Sequence, residues 1–128
     1  MQKDFEIWNV YKKYIDARNE DKIYHEREVW WCSLGINVGF EEDGKGIHGE
    51  RPVLVIRRLN KNVCVIVPLT TSKKESLYNI FLGKVGNKES SVITSQIRLI
   101  DTRRFANRMG IIDSITFETI RKAIKDLL

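Results

Sequence analysis

The chain has 128 residues, of which 42% are hydrophobic and 30% charged, with a formal net charge of +5. That is the length of one domain, able to bury about two-thirds of its unfolded surface without a metal or disulfide staple. The composition excludes a disordered chain, and no run approaches the ~20 apolar residues of a membrane helix. The opening Met1-Gln2-Lys3-Asp4-Phe5-Glu6 leads into no apolar segment of the signal-peptide kind. The charge is unevenly placed. Residues 1–50 hold 7 Lys/Arg and 11 Asp/Glu, net −4, whereas residues 51–128 hold 15 and 6, net +9. A basic second half suits an anionic partner such as nucleic acid, or else is a solvated surface with an accidental gradient.

In chain order, residues 3–18 are predicted helical, because Phe5, Trp8, Tyr11 and Ile15 recur at spacings of three and four. Asp4 and Glu6 open that helix and Lys12, Lys13 and Arg18 follow, as the helix dipole favours. Residues 19–27 are polar and read as a linker. Glu28 to Leu34, rich in β-branched and aromatic residues, is the first strand. Of Trp30 and Trp31, which face opposite sides, one is core. The other either stacks on a base or packs on the N-terminal helix, with packing favoured. Gly35 to Glu50 holds five glycines in sixteen residues and is a long loop, a feature that is usually functional or mobile.

Arg51 to Arg57 is a strand with Pro52 near its start, and Leu59 to Asn62 a turn. Val63 to Val67 is a buried strand ended by Pro68, so the two form a hairpin. Leu77–Leu82 reads as a strand and Gly83–Ser90 as a turn region. Ser91–Thr94 and Gln96–Ile100 are further strand material, and Met109–Ile112 is a short last strand. A C-terminal helix follows, capped by Asp113, Ser114 or Thr116, with Phe117, Ile120, Ile124 and Leu127 as its apolar stripe. Short strands framed by helices imply an α+β fold, mainly β: a small curled barrel of mostly antiparallel strands.

Cys32 and Cys64 each lie inside an apolar strand and form no CxxC pair, so neither a zinc site nor a required disulfide is indicated, and two reduced thiols suit the cytoplasm. His25 and His48 stand alone in polar segments, where a histidine is usually a solvated side chain. No GxSxG, Walker A or GxGxxG pattern occurs. What remains is Arg51 at the mouth of a strand and Thr70, Thr71 and Ser72 just past its hairpin partner. In a regular hairpin Arg51 precedes the turn by about as many residues as Thr70 follows it, so the open end brings them together. An arginine beside hydroxyls is a phosphate site, since guanidinium binds phosphate oxygens bidentately. Spacing alone leaves equally open an ion pair from Arg51 to Glu50 or Glu41. Lys73, Lys74, Arg57 and Arg58 are phosphate-contact candidates, although single surface basics are usually just solvated.

At these residues the sequence resembles the MazF/PemK family of toxin endoribonucleases. The resemblance runs through Glu28-Val29-Trp30-Trp31, Val38-Gly39-Phe40-Glu41, Arg51-Pro52-Val53-Leu54-Val55-Ile56, Val67-Pro68-Leu69-Thr70-Thr71, Ser91-Val92 and Gln96-Ile97-Arg98-Leu99-Ile100-Asp101. It covers about residues 27–128, leaving residues 1–26 as an N-terminal helical extension and linker. The resemblance implies an SH3-like barrel with a C-terminal helix, commonly a homodimer. It implies metal-independent cleavage of single-stranded RNA, in which the ribose 2′-hydroxyl attacks the adjacent phosphate and leaves a 2′,3′-cyclic phosphate and a 5′-hydroxyl. No cofactor, metal or membrane is expected, and an antitoxin is the implied protein partner. By resemblance Arg51 and Thr70 are the catalytic pair, Glu41 matches a loop glutamate used near the RNA and Gln96 a glutamine that lines the site; from their own positions and charge, Thr71, Ser72, Lys73 and Arg98 are further expected RNA contacts. Phe40 stands where relatives often carry a small polar residue or histidine, and Ser95 where some carry an acid.

Two other classes compete with a nuclease. The related CcdB fold poisons DNA gyrase by binding alone, but a binding module has no need of the Arg-Pro…Pro-Leu-Thr pairing. A degenerate relative would bind RNA without cutting it, and Phe40 lends that reading some weight.

Overall fold

A computed structural model describes residues 23–34 and 49–128. The expected helix over 3–18, residues 19–22 of the linker, Phe40, Glu41 and His48 lie outside the described residues. Among the described residues seven strands and one α-helix follow in chain order: β1 (Glu28–Ser33), β2 (Glu50–Arg58), β3 (Val63–Thr70), β4 (Asn79–Val85), β5 (Lys88–Ile93), β6 (Arg98–Asp101), β7 (Phe105–Ile111) and α1 (Ser114–Leu127). Neighbouring strands run β4-β5-β3-β2-β1-β7, with β6 also on β3, and every pairing is antiparallel. The sheet curls into a half-barrel, as the sequence leads one to expect.

The apolar strands are continuous rather than alternating because both faces of β2 and β3 are buried. Val53, Val55, Cys64 and Ile66 point into one cluster with Tyr24, Trp30, Cys32, Ile100 and Phe105. Leu54, Ile56, Val67 and Leu69 point into a second, closed by Val92 and the helix residues Phe117, Ile120 and Ile124. The α1 stripe ends at Ile124, since Leu127 is largely exposed. Of the three candidate caps it is the Asp113 carboxylate that accepts from the Thr116 amide, at 2.9 Å.

Several boundaries differ from the sequence expectation. Pro68 does not end β3, which continues to Thr70. It sits where β6 stops, opposite Ile66, and β5 begins, opposite Leu69, so its missing N–H falls at a seam between two partners. Gly83–Val85 belongs to β4, and the turn is only Gly86-Asn87, with Gly86 at φ +63°. β7 starts at Phe105, four residues before the expected strand. Within residues 23–27 of the expected linker, Tyr24 anchors the chain to the core. Tyr24 is buried, and its hydroxyl donates to the Asn60 and Val63 carbonyls while Arg58 covers its ring at 5.2 Å. As expected, one tryptophan is core: Trp30 is buried and Trp31 only half so.

Glu28 ties β1 to β7. Its buried carboxylate accepts from the His25 amide at 2.7 Å, the Trp30 indole at 3.1 Å and the Arg108 guanidinium at 3.0 Å. Burial pushes this carboxyl up, but the three hydrogen bonds outweigh it and hold it below the usual carboxylate range. The native state therefore resists protonation more than the unfolded chain does. The stability Glu28 contributes is full above about pH 5 and is lost as pH falls through its depressed native value. Denaturant titrations at pH 7 and pH 3.5 are expected to show this loss, and Glu28→Gln, about 1.5–3 kcal/mol less stable at pH 7, is expected to show a smaller one.

Candidate phosphate site and RNA groove

Arg51 is the largest fully buried side chain described. It shares a sheet face with Val53 and Val55, two and four residues along β2. Its Nη2 donates to the Leu69 carbonyl. Thr70, also buried, ends β3, and its Oγ1 accepts from the Ser72 amide at 3.1 Å, which turns the chain out of the strand.

The ladder explains how these two meet. Near the hairpin turn Arg58 pairs with Cys64 and Arg57 with Val65; beyond a bulge at Ile56, Val55 pairs with Ile66 and Val53 with Pro68. Continued two residues, that register sets Arg51 opposite Thr70. Without the bulge the same count would set Arg51 opposite Thr71, since a single slip exchanges the faces of a strand. Arg51 and Thr70 line one small cleft of about 40 Å³ with Pro52, Leu69, Thr71 and Ser90. Through Thr71 it adjoins an open groove of about 660 Å³, walled by residues 71–77 on one side and Asn79, Phe81, Glu89 and Ser91 on the other.

Thr71, Ser72 and Lys73 line this groove and are exposed, with Lys73 Nζ 4.0 Å from Glu89. Arg98 opens β6 opposite Ile66, and Gln96 lies in the short 3-10 turn before it; both are half-buried and line neither cleft nor groove. Arg98 nonetheless shares the Arg51 face, about 13 Å further along β3 than Thr70. Cys32, paired with Arg51, registers this charge: burial drives its thiol far up, and the fields of Arg104 and Arg98 offset the rise only in part. Burial likewise pushes the Cys64 thiol up to about 12, so neither cysteine is a thiolate nucleophile at neutral pH. Glu41 lies outside the described residues. Sequence reasoning missed Ser90 and Phe81 in the cleft and groove, and Arg104 beside Cys32. The first two reach the site only through strand pairings, and Arg104, whose Nη1 donates to the Ser33 carbonyl at 3.2 Å, carries no local signal. Among the described residues no group of three or more His, Cys, Asp or Glu could hold a metal ion, and no helix is long and apolar enough to cross a membrane.

The family model of PemK-like, MazF-like toxins of type II toxin–antitoxin systems matches residues 25–128. The chain belongs to this family. Its fold agrees. A MazF from Deinococcus radiodurans superposes with TM-score 0.67 at 19% identity, covering 84% of this chain and 97% of that one. An endoribonuclease in complex with its cognate antitoxin, from a mycobacterial species, gives 0.63 at 18%, covering 81% and 93%. The Mycobacterium tuberculosis toxin MazF-mt6 gives 0.61 at 17%, covering 78% and 94%. At these identities the likeness is one of fold. A search of curated proteins finds no match. In this MazF/PemK chain, the segment matched to the family holds both Arg51 and Thr70.

Proposed function

We propose that this chain is a toxin endoribonuclease that cuts single-stranded RNA at short sequences without a metal and is neutralised by a cognate antitoxin. The observation that carries the reading is the juxtaposition of Arg51 and Thr70 in one cleft that adjoins an open groove through Thr71. Family membership and the neighbour solved with its antitoxin support it.

The substrate supplies the nucleophile. The 2′-oxygen forms a bond to phosphorus as the bond to the 5′-oxygen breaks. A proton leaves the 2′-hydroxyl and one arrives at the 5′-oxygen, giving a 2′,3′-cyclic phosphate and a 5′-hydroxyl. Charge grows on the non-bridging oxygens of the pentacovalent phosphate. Arg51, always protonated and held in place by the Leu69 carbonyl, stabilises that charge rather than serving as a base. Thr70 donates a hydrogen bond to a phosphate oxygen. Thr71, Ser72 and Lys73 hold the strand along the groove, and Glu41, Gln96 and Arg98 complete the RNA contacts. DNA, lacking the 2′-hydroxyl, is not cut. A homodimer acting on mRNA in the cytoplasm completes the reading.

The test is incubation of the purified chain with mixed-sequence single-stranded RNA in EDTA. Discrete cuts bearing cyclic phosphate and 5′-hydroxyl ends are expected; intact RNA, or cuts only after metal is added, would sink the reading.

A further inference from the structure

The row that begins with Arg51 and Thr70 continues across two more strands. Thr70 pairs with Ser91 of β5, and Ser91 pairs with Phe81 of β4. Residues directly opposite in antiparallel strands share a face. One level of the sheet thus presents a guanidinium, two hydroxyls and an aromatic ring in line. The ring is 62% exposed although it stands among polar neighbours, where nothing in the core requires it. It lies two strand spacings from Thr70, about 10 Å. That is the span from a phosphate through its ribose to the base it carries.

The backbone beside Phe81 is specialised. Immediately after it the ladder slips, with Phe81 opposite Ser91 but Gly83 opposite Ser90, and Gly83 takes φ +85°, a conformation that side-chain-bearing residues rarely adopt. Such bulges re-aim side chains beside functional sites. The facing wall carries Lys73 and Lys74, cations for a sugar-phosphate chain that passes between wall and ring. The carboxylates of Glu75 and Glu89 also line the groove, acceptors for the amino edge of a base.

We propose that Phe81 is a stacking platform for the base next to the cleaved phosphate, which makes it a positioning residue for the reaction; this rests on the endoribonuclease reading above. Arg51 and Thr70 grip the phosphate, and Phe81 sets where along the strand that phosphate lies. Because stacking is tolerant of base identity, the ring fixes register more than sequence.

The experiment uses the full chain and an RNA oligonucleotide of its mapped cleavage sequence, with a 2′-deoxy sugar at the attacking position so that binding is read without cleavage. By fluorescence anisotropy Phe81→Ala is expected to bind about 5- to 100-fold more weakly, while Phe81→Trp or Phe81→Tyr restores binding. On cleavable RNA the Ala variant is expected to raise KM with little change in kcat. An oligonucleotide abasic at the stacked position is expected to lose affinity for the parent chain but not for Phe81→Ala. Unchanged RNA binding by Phe81→Ala, or equal loss from the abasic site in both proteins, overturns the proposal. A parent chain that cuts no RNA at all overturns the endoribonuclease reading and this proposal together; failure at Phe81 alone leaves that reading standing.

Discussion

Arg51→Ala is expected to cleave single-stranded RNA about 10²- to 10³-fold more slowly than the parent chain, the usual loss when one donor to a developing oxyanion is removed. The loss should fall on kcat, because the charge that Arg51 meets is largest in the transition state. Removal also strips the Leu69 carbonyl of its donor inside a buried cleft, which costs about 1–3 kcal/mol of stability. A thermal melt must therefore accompany the assay. Arg51→Lys separates the two effects: it retains the positive charge and a donor but loses the planar fork that grips two phosphate oxygens. Its melting temperature is expected to recover more than its rate does. Cleavage by Arg51→Ala at the parental rate would refute the assignment of Arg51 to the reacting phosphate.

Phe105→Ala carries the largest expected cost in stability, about 3–5 kcal/mol. The ring is fully buried. It stacks on Trp30 at 5.1 Å and 25° and leans against Tyr24 at 5.5 Å and 59°. It thereby joins β7, β1 and the segment before β1 in one cluster. Truncation forfeits the buried area, the two ring contacts and the packing of the residual void. For a chain of this length the melting temperature should fall by about 10–20 °C. Phe105→Leu keeps most of the volume and should lose far less. The exposed Phe81 supplies the comparison, since its truncation should barely move the melt.

Most of the framework can be read from residue types, for reasons visible in particular elements. β2 and β3 are buried on both faces, so Val53–Ile56 and Val63–Val67 are unbroken apolar runs. α1 announces itself through the three- and four-residue spacing of Phe117, Ile120 and Ile124 and an aspartate cap. β7 hides because Ala106, Asn107 and Arg108 follow its one buried anchor, Phe105, on a sheet edge with little apolar pattern. Pro68 misleads because a proline inside a strand is tolerated only at a position such as the seam between β6 and β5, which local sequence does not reveal. In the site, Arg51 and the threonines near it follow from counting back from the hairpin turn. Which threonine faces the arginine depends on the bulge at Ile56, and no residue type marks that bulge. Phe81 and Ser90 come to the site through pairings between strands far apart in the chain, so no local pattern holds them.

The β4–β5 hairpin joins the rest of the sheet through two residue pairs, Leu69 with Val92 and Thr70 with Ser91. None of the β4 residues is fully buried. Chemistry and preference therefore stand on different footings in this fold. Arg51 and Thr70 are embedded in strands whose neighbours are packed core, where most changes are costly. The opposite wall is built from surface positions, where exchanges typically alter stability by less than about 0.5 kcal/mol. On the endoribonuclease reading proposed above, descendants of such a chain are free to drift in the RNA they select while keeping one way of cutting it.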